Sequence, residues 1–519
     1  MFRSCRVIIL DKENLCHKFF LYVTVFLSLL MFAQMRIHFI KNYEIYLHSD
    51  WENNIKMPKK QVFIIYMFVL IYVSILCGCS QEGDLSFDVS YTIDANMDPE
   101  ARSMTYTETI EIVNTGSGST KELYFHIYGN KFKGLRQVED GDITVLSVQD
   151  SKGNTLQWQR EQEGVLYRVE LAQELKPRQS VELTFDCEVL IPDLERMYGV
   201  SRDGDVQLPM FSLQLAIYDK DGWDTDPLSE NGDGRYGTAA DYDLTIRVPE
   251  TYILTCNGDE LSRETSDGIT TYSYRAENRR DIVVFACKDY VLLERTVGHT
   301  TILGYFNETV NGVTPQGMDK VMDCAAFSLE YFNTIFVEYP YDTLVVTNAA
   351  LGTNFSPNME YSGLVTIVFM NGQSDELEIK TFHEVAHQWF YGLVGNDENQ
   401  EPWLDEGFAE FAAGLCLDAA DNTDYPYWEL KAIAANGVAK EKVNVPSDEA
   451  SVYQWVIYDK SAMFLKTLMD TVGQEKFLSI LSDYCQKYMY DIATTEDFLE
   501  ILYMGTDADL SDIVTEYIK

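Results

Sequence analysis

His383-Glu384-Val385-Ala386-His387-Gln388-Trp389-Phe390-Tyr391-Gly392, followed by Pro402-Trp403-Leu404-Asp405-Glu406-Gly407-Phe408-Ala409, is the stretch from which the rest of the chain can be read. On a helix, positions four apart share a face, so His383 and His387 aim two imidazoles at one point while Glu384 looks toward the same cleft. A catalytic zinc takes three protein ligands and keeps one position open, and Glu406 on a neighbouring helix completes a two-histidine, one-glutamate set. Phe382, Val385, Ala386, Trp389, Phe390 and Leu393 recur at helical spacing, which predicts a buried amphipathic helix through Val394. A second helical pattern through Trp403, Leu404, Phe408, Phe411, Ala412 and Leu415 puts Glu406 on a packed element. Burying two histidines and two glutamates together without a cation is costly.

Working outward, the 519 residues exceed one ordinary domain and suggest two or three. The formal charge is −42, and it is uneven: residues 1–79 hold 9 Lys/Arg against 5 Asp/Glu, leaving 31 against 77, or −46, for the rest. Such a body is repelled by nucleic acid and by anionic membrane surfaces. Six cysteines follow Cys79, at 187, 256, 287, 324, 416 and 485, with no CxxC or finger spacing, so they are expected to be free buried thiols. His126 and His299 are expected to be structural.

The first 79 residues are a different material. Two apolar runs, Phe19 to Ala33 and Val62 to Leu76, are each short for a spanning helix, which needs roughly 20 residues. The second follows Met57-Pro58-Lys59-Lys60 and ends in Leu76-Cys77-Gly78-Cys79, a basic start, an apolar stretch and a small-residue cleavage site. This resembles a bacterial lipoprotein signal over 57–79. It implies a start at Met57, a lipid anchor on Cys79 and a location on the extracellular face of the cell membrane. A plain hydrophobic anchor with an unmodified Cys79 is the competing reading.

From residue 80 to about 297 the pattern is mostly strands. Runs such as Met104 to Ile112, Leu123 to Tyr128, Val181 to Leu190, Tyr242 to Val248 and Ile282 to Ala286 are separated by Gly/Asp/Asn/Ser clusters such as Ser229 to Gly237. One all-β domain, or two smaller sandwiches, fits. From 298 to 519 the character is mixed α/β. Helices are predicted at Met318 to Phe336, Asp459 to Met469, Gln474 to Lys487 and Thr495 to Tyr503, and strands at Thr343 to Asn348 and Leu364 to Met370. Little room follows Glu406 for another large domain.

The two motif blocks, together with Val394-Gly395-Asn396-Asp397, resemble the signature of the aminopeptidase N family of gluzincin metallopeptidases, which also contains leukotriene hydrolase. The likeness extends outward through Tyr339-Pro340-Tyr341 and Asp241-Tyr242-Asp243-Leu244-Thr245-Ile246. It implies an α+β multidomain chain: a saddle- or sandwich-like all-β domain, then a thermolysin-like mixed α/β domain, with no large C-terminal helical domain. It also implies one zinc per chain held by His383, His387 and Glu406, with Glu384 as general base. Asn358-Met359-Glu360-Tyr361 falls where the family has its Met-Glu motif, so Met359 and Glu360 are implied substrate contacts, Glu360 taking the free α-amine. Tyr458-Asp459-Lys460-Ser461-Ala462 resembles the segment whose tyrosine bonds the oxyanion, and Tyr453 is the nearest rival of Tyr458. The chain departs from the pattern at Pro357-Asn358 and Ser461, where the family carries glycines. Glu410, one turn after Glu406, either orients a ligand histidine or is plainly solvated.

The implied activity is removal of N-terminal residues from extracellular peptides. The alternatives are a zinc hydrolase of another kind, endopeptidase or epoxide hydrolase, and a membrane-tethered binding or scaffold protein.

Overall fold

The computed structural model describes residues 83–519, apart from 133–140, 195–196, 202–203, 230, 233, 311, 350–356, 370–373 and 421–424. The lipoprotein signal expected over 57–79, its Cys79 and the apolar run before it lie outside the described residues.

The described residues open on β structure for the reason their period suggested. In Phe87–Asp98, Tyr91, Ile93, Ala95 and Met97 alternate inward, and in Ser103–Asn114, Met104, Tyr106, Ile110 and Ile112 do the same. These strands pair antiparallel at the centre of a seven-stranded sheet. Ser180–Leu190 and Asp142–Asp150 extend it on one side. Ala240–Pro249, joined in parallel to Phe87–Asp98, extends it on the other. A four-stranded sheet built on Thr120–His126 and Leu166–Leu175 covers its inner face, and Phe125, Val169, Leu183 and Phe185 meet in one core. The expected strand ends shift: Tyr128 lies in a 3-10 turn over Tyr128–Phe132, and Val284–Cys287 replaces a strand from Ile282.

The mixed α/β region starts from a further sheet, whose strands in order are Tyr290–Val297, Thr300–Asn307, Thr343–Asn348 and Leu364–Ile367. The last two are buried on both faces. Leu344, Val346, Val365 and Ile367 face the helices, while Val345 and Leu364 join the core of the all-β region. The sheet is thus clamped between the two halves of the chain.

Helix α1 (Pro315–Ile335) begins with Pro315 in its first turn and Thr314 accepting from the Gly317 amide. Then come α2 (Ser374–Ala386), α3 (Glu406–Ala419), α4 (Tyr427–Gly437), a π-helical turn over Gln454–Lys460, α5 (Ser461–Val472), α6 (Gln474–Lys487), α7 (Thr495–Gly505) and α8 (Ser511–Tyr517). Among the described residues no helix is long and apolar enough to cross a membrane.

Three helical expectations are corrected. The helix expected through Val394 ends at Ala386, because the backbone turns over through Tyr391, whose φ is +117°. The reversal beyond the helix is held by a buried side chain from the β region: the Arg280 guanidinium donates to the carbonyls of Tyr391 and Leu393. Trp403 and Leu404 form a separate 3-10 turn, and α3 starts at Glu406 with the Asp405 carboxylate accepting its amide at 2.9 Å. The helix expected from Asp459 is preceded by the π turn that holds Tyr458.

Candidate active site

The apolar stripe of α2 and its last turn, with Phe382, Val385, Ala386 and Trp389 all at most 1% exposed, points into the core, which fixes the opposite stripe toward a cavity of about 490 Å³. His383, Glu384 and His387 occupy that stripe. His387 lies one residue past the helix proper but keeps its turn, donating its amide to the His383 carbonyl at 3.2 Å.

The two imidazole Nε2 atoms stand 3.0 Å apart, and Glu406 Oε2 lies 3.1 Å from His383 Nε2 and 3.2 Å from His387 Nε2. The opposite ring nitrogens are engaged elsewhere. His387 Nδ1 donates to the Phe390 carbonyl at 3.0 Å, and His383 Nδ1 lies 2.9 Å from Glu410 Oε2. With a proton on each Nδ1, both Nε2 atoms carry lone pairs aimed at the same carboxylate oxygen. Three buried lone-pair donors converging on one point repel one another unless a cation lies between them, so the donor set fits a divalent ion of the zinc type. Burial works against charge on both rings. At His383 the Glu406 and Glu410 carboxylates outweigh it and raise the pKa, whereas at His387 burial prevails and lowers it.

Glu410 is buried, not solvated. It sits between His383, Lys431 of α4 and the Tyr427 hydroxyl, which donates to it at 2.7 Å. Lys431 also donates to Asp459 at 2.7 Å, so one ammonium ties the support of a ligand histidine to the turn carrying Tyr458. Burial of the Glu410 carboxyl is overcome by the Lys431 and His383 charges, which hold its pKa well below the usual range.

Tyr458 reaches the centre. Its hydroxyl donates to Glu406 Oε1, and its ring stacks on His383 with centroids 5.7 Å apart. Tyr453 lines the same cavity, with its ring 6.0 Å from that of Tyr458. Ser461, where a glycine was expected, packs against Gly407, the residue after the third donor.

Glu360 and Met359 also line the cavity. Met359 pairs its backbone with Thr366 and has its side chain in the β-region core. Gln388 fastens this segment to the end of α2, accepting from the Gly363 amide at 2.7 Å and donating to the Tyr361 carbonyl at 3.1 Å. Glu360, Glu384 and His387 bring donor atoms within 4.8 Å of one another, a second grouping that shares His387 with the first.

One partner was not anticipated: Glu360 forms an ion pair with Arg235, only 4% exposed, which also lies 3.2 Å from Glu398 and 3.6 Å from Asp281 and stacks over the Tyr391 ring at 4.0 Å. Arg235 sits in the Ser229 to Gly237 stretch, whose glycines signalled only a turn. His126 and His299 stand apart from the cavity, paired with Asp224 and Glu338 respectively. The six described cysteines are free and buried.

Residues 317–517 match the peptidase family M1 domain. This match agrees with the resemblance to aminopeptidase N read from the motif blocks. Aminopeptidase M1-B of rice, Oryza sativa subsp. japonica, is 26% identical over 54% of this chain and 34% of its own length. Aminopeptidase N of Lactobacillus helveticus is 27% identical over 40% of this chain and 27% of its own length. The chain therefore spans about a third or less of the length of these relatives. An M1 zinc metallopeptidase from Deinococcus radiodurans superposes with a TM-score of 0.62 at 16% identity, covering 84% of this chain and 94% of that one. A variant of that protein was solved with a Tyr-Ser-Ala substrate. The likeness is one of fold, over 84% of this chain.

Proposed function

We propose that this chain is a zinc-dependent aminopeptidase that hydrolyses the first peptide bond of extracellular peptides. The observation that carries the reading is the meeting of His383 Nε2, His387 Nε2 and Glu406 Oε2 within 3.0–3.2 Å, each imidazole anchored through its other nitrogen. When bound, zinc supplies Lewis acidity, lowering the pKa of water to about 7 and polarising a substrate carbonyl.

The rest falls to the chain's own residues. Glu384, buried beside His383, takes the proton from the attacking water and passes it to the departing amine. Tyr458 donates a hydrogen bond to the oxygen that gains charge as the carbonyl becomes tetrahedral. To do so it exchanges its present bond to Glu406, one hydrogen bond for another. Glu360 presents a carboxylate to the substrate ammonium, held in place by Arg235.

That ion pair also favours a second reading, because a carboxylate already shared with a guanidinium attracts an ammonium less strongly. A zinc hydrolase indifferent to the substrate's N-terminus, such as an endopeptidase, follows from the same site.

Metal analysis together with aminoacyl nitroanilides, free and N-acetylated, separates the readings. Stoichiometric zinc with cleavage of the free substrates alone supports the aminopeptidase. Equal cleavage of both removes Glu360 from its role, and purification without zinc favours a scaffold. We further propose that Cys79 carries a lipid that anchors the protein outside the cell. Mass spectrometry of the membrane-extracted chain tests this: an N-terminus before Cys79 without lipid mass ends the idea.

A further inference from the structure

We propose that Lys380 forms a carboxylate-binding subsite on the leaving-group side of the cavity, so that peptides with a carboxylate on their second residue are preferred. The proposal rests on the aminopeptidase reading and adds the half of the substrate that reading leaves open.

Its basis is the order of groups along α2. Lys380, His383, Glu384 and His387 follow one another at i, i+3, i+4 and i+7 along one stripe, and Lys380, His383 and Glu384 of these line the cavity. Glu360 closes in at the His387 end, where Glu360, Glu384 and His387 group together. At 1.5 Å of rise per residue, Lys380 lies about 6 Å from Glu384 and about 10 Å from His387, measured along the axis away from that end. The ammonium anchor and the lysine therefore mark opposite ends of the same wall. A substrate with its amine at Glu360 and its first carbonyl over the donor set runs on toward Lys380. An extended residue covers about 3.5 Å, so the second residue is the one that comes within reach of the ammonium.

The charge inventory points the same way. Among the described lining residues, Glu360, Glu384, Glu406 and Glu410 are carboxylates and Lys380 is the one lysine or arginine. Glu406 is balanced by the imidazoles, Glu410 by Lys431 and His383, and Glu360 by Arg235. Lys380 has a looser arrangement: its Nζ is 3.6 Å from Glu376, whose side chain is 41% exposed, while its own is 23% exposed. Such a surface pair is worth little, and a carboxylate arriving in the partly desolvated cavity competes with it.

The carboxylate has two sources, an Asp or Glu side chain at the second position or the free C-terminus of a dipeptide. Binding is measured by calorimetry on the zinc-loaded full chain carrying Glu384→Gln, which blocks turnover. Two matched pairs serve as probes: Ala-Asp-amide against Ala-Asn-amide, and Ala-Ala against Ala-Ala-amide. The charged member binds at least about fivefold tighter in one or both pairs, and the pair that responds names the source. Adding Lys380→Met abolishes the difference, and Lys380→Glu reverses it. Because the readout is a ratio within one variant, a general loss of affinity cancels.

Equal binding within both pairs, a preference that survives Lys380→Met, or no binding of any probe overturns the proposal. Failure of the aminopeptidase reading appears separately, as absence of cleavage of any of these peptides by the unaltered chain.

Discussion

Gly407 and Ser461 meet where α3 crosses the start of α5, so closely that a Cβ on residue 407 would stand under 3.0 Å from the Ser461 Cβ. The contact sets the π turn carrying Tyr458 against the helix carrying Glu406. Gly407→Ala overpacks this seam and is expected to cost about 1–3 kcal/mol. Because the turn must shift, turnover falls as well. Ser461→Gly makes room, so the double variant regains stability relative to Gly407→Ala. Thermal unfolding of the four proteins in the cycle measures the coupling, and simple additivity would show that the two side chains do not compete for this space.

Glu384→Gln keeps an uncharged, isosteric side chain in the wall of the cavity but no longer accepts a proton. Turnover should fall by about 10²–10⁴-fold with zinc content unchanged. His387→Ala, by contrast, removes one of the three converging donors, and elemental analysis should find the metal depleted. Activity retained in Glu384→Gln would assign the proton transfer to another group.

Tyr458→Phe deletes a hydroxyl that touches Glu406 and leaves the ring on His383 in place. The expected loss is roughly 100-fold in kcat, with little change in KM. Since that hydroxyl also steadies a metal donor, zinc affinity is measured in parallel. Full activity in this variant would direct attention to Tyr453, the other phenol in the cavity.

Far from the cavity, Glu108 is wholly buried in the β-region core, with Oε2 accepting from the Leu213 amide at 2.9 Å. Burial pushes its pKa up to about 8, from 4.5. An acid raised on folding holds its proton in the native state where the unfolded chain releases it. Its contribution is therefore complete below about pH 4.5 and is lost as the pH climbs to about 8, by at most about 1.4 kcal/mol per pH unit. Glu108→Gln removes the dependence, so its stability advantage over the parent should widen between pH 5 and pH 8 in denaturant titrations. A constant difference across that range would mean that Glu108 is ionised in the folded protein.

Much of this architecture is legible in the sequence because it is written in local periods. The alternation in Ser103–Asn114 and the stripe of α2 follow directly from which residues are apolar. The spacing of His383, His387 and Glu406 suffices to anticipate their meeting. What escapes is support that arrives from a distance in the chain. Arg235, Arg280 and Lys431 carry no periodic signal, since a cation in a turn or on an outer helix looks the same whether it is solvated or buried against a carboxylate. Helix ends escape too: the π turn before α5 and the backbone reversal at Tyr391 depend on packing partners that no helical wheel contains.

The guanidinium of Arg280 gives the molecule an indivisible character. A fragment beginning after Gly298 would retain His383, Glu384, His387 and Glu406, yet the backbone reversal that follows the histidine-bearing helix would lose the donor that crosses over from the other half to hold the Tyr391 and Leu393 carbonyls. Such a truncation keeps the full vocabulary of the site and forfeits its grammar: the β half is not an appendage to a self-sufficient domain but a structural member of the candidate site.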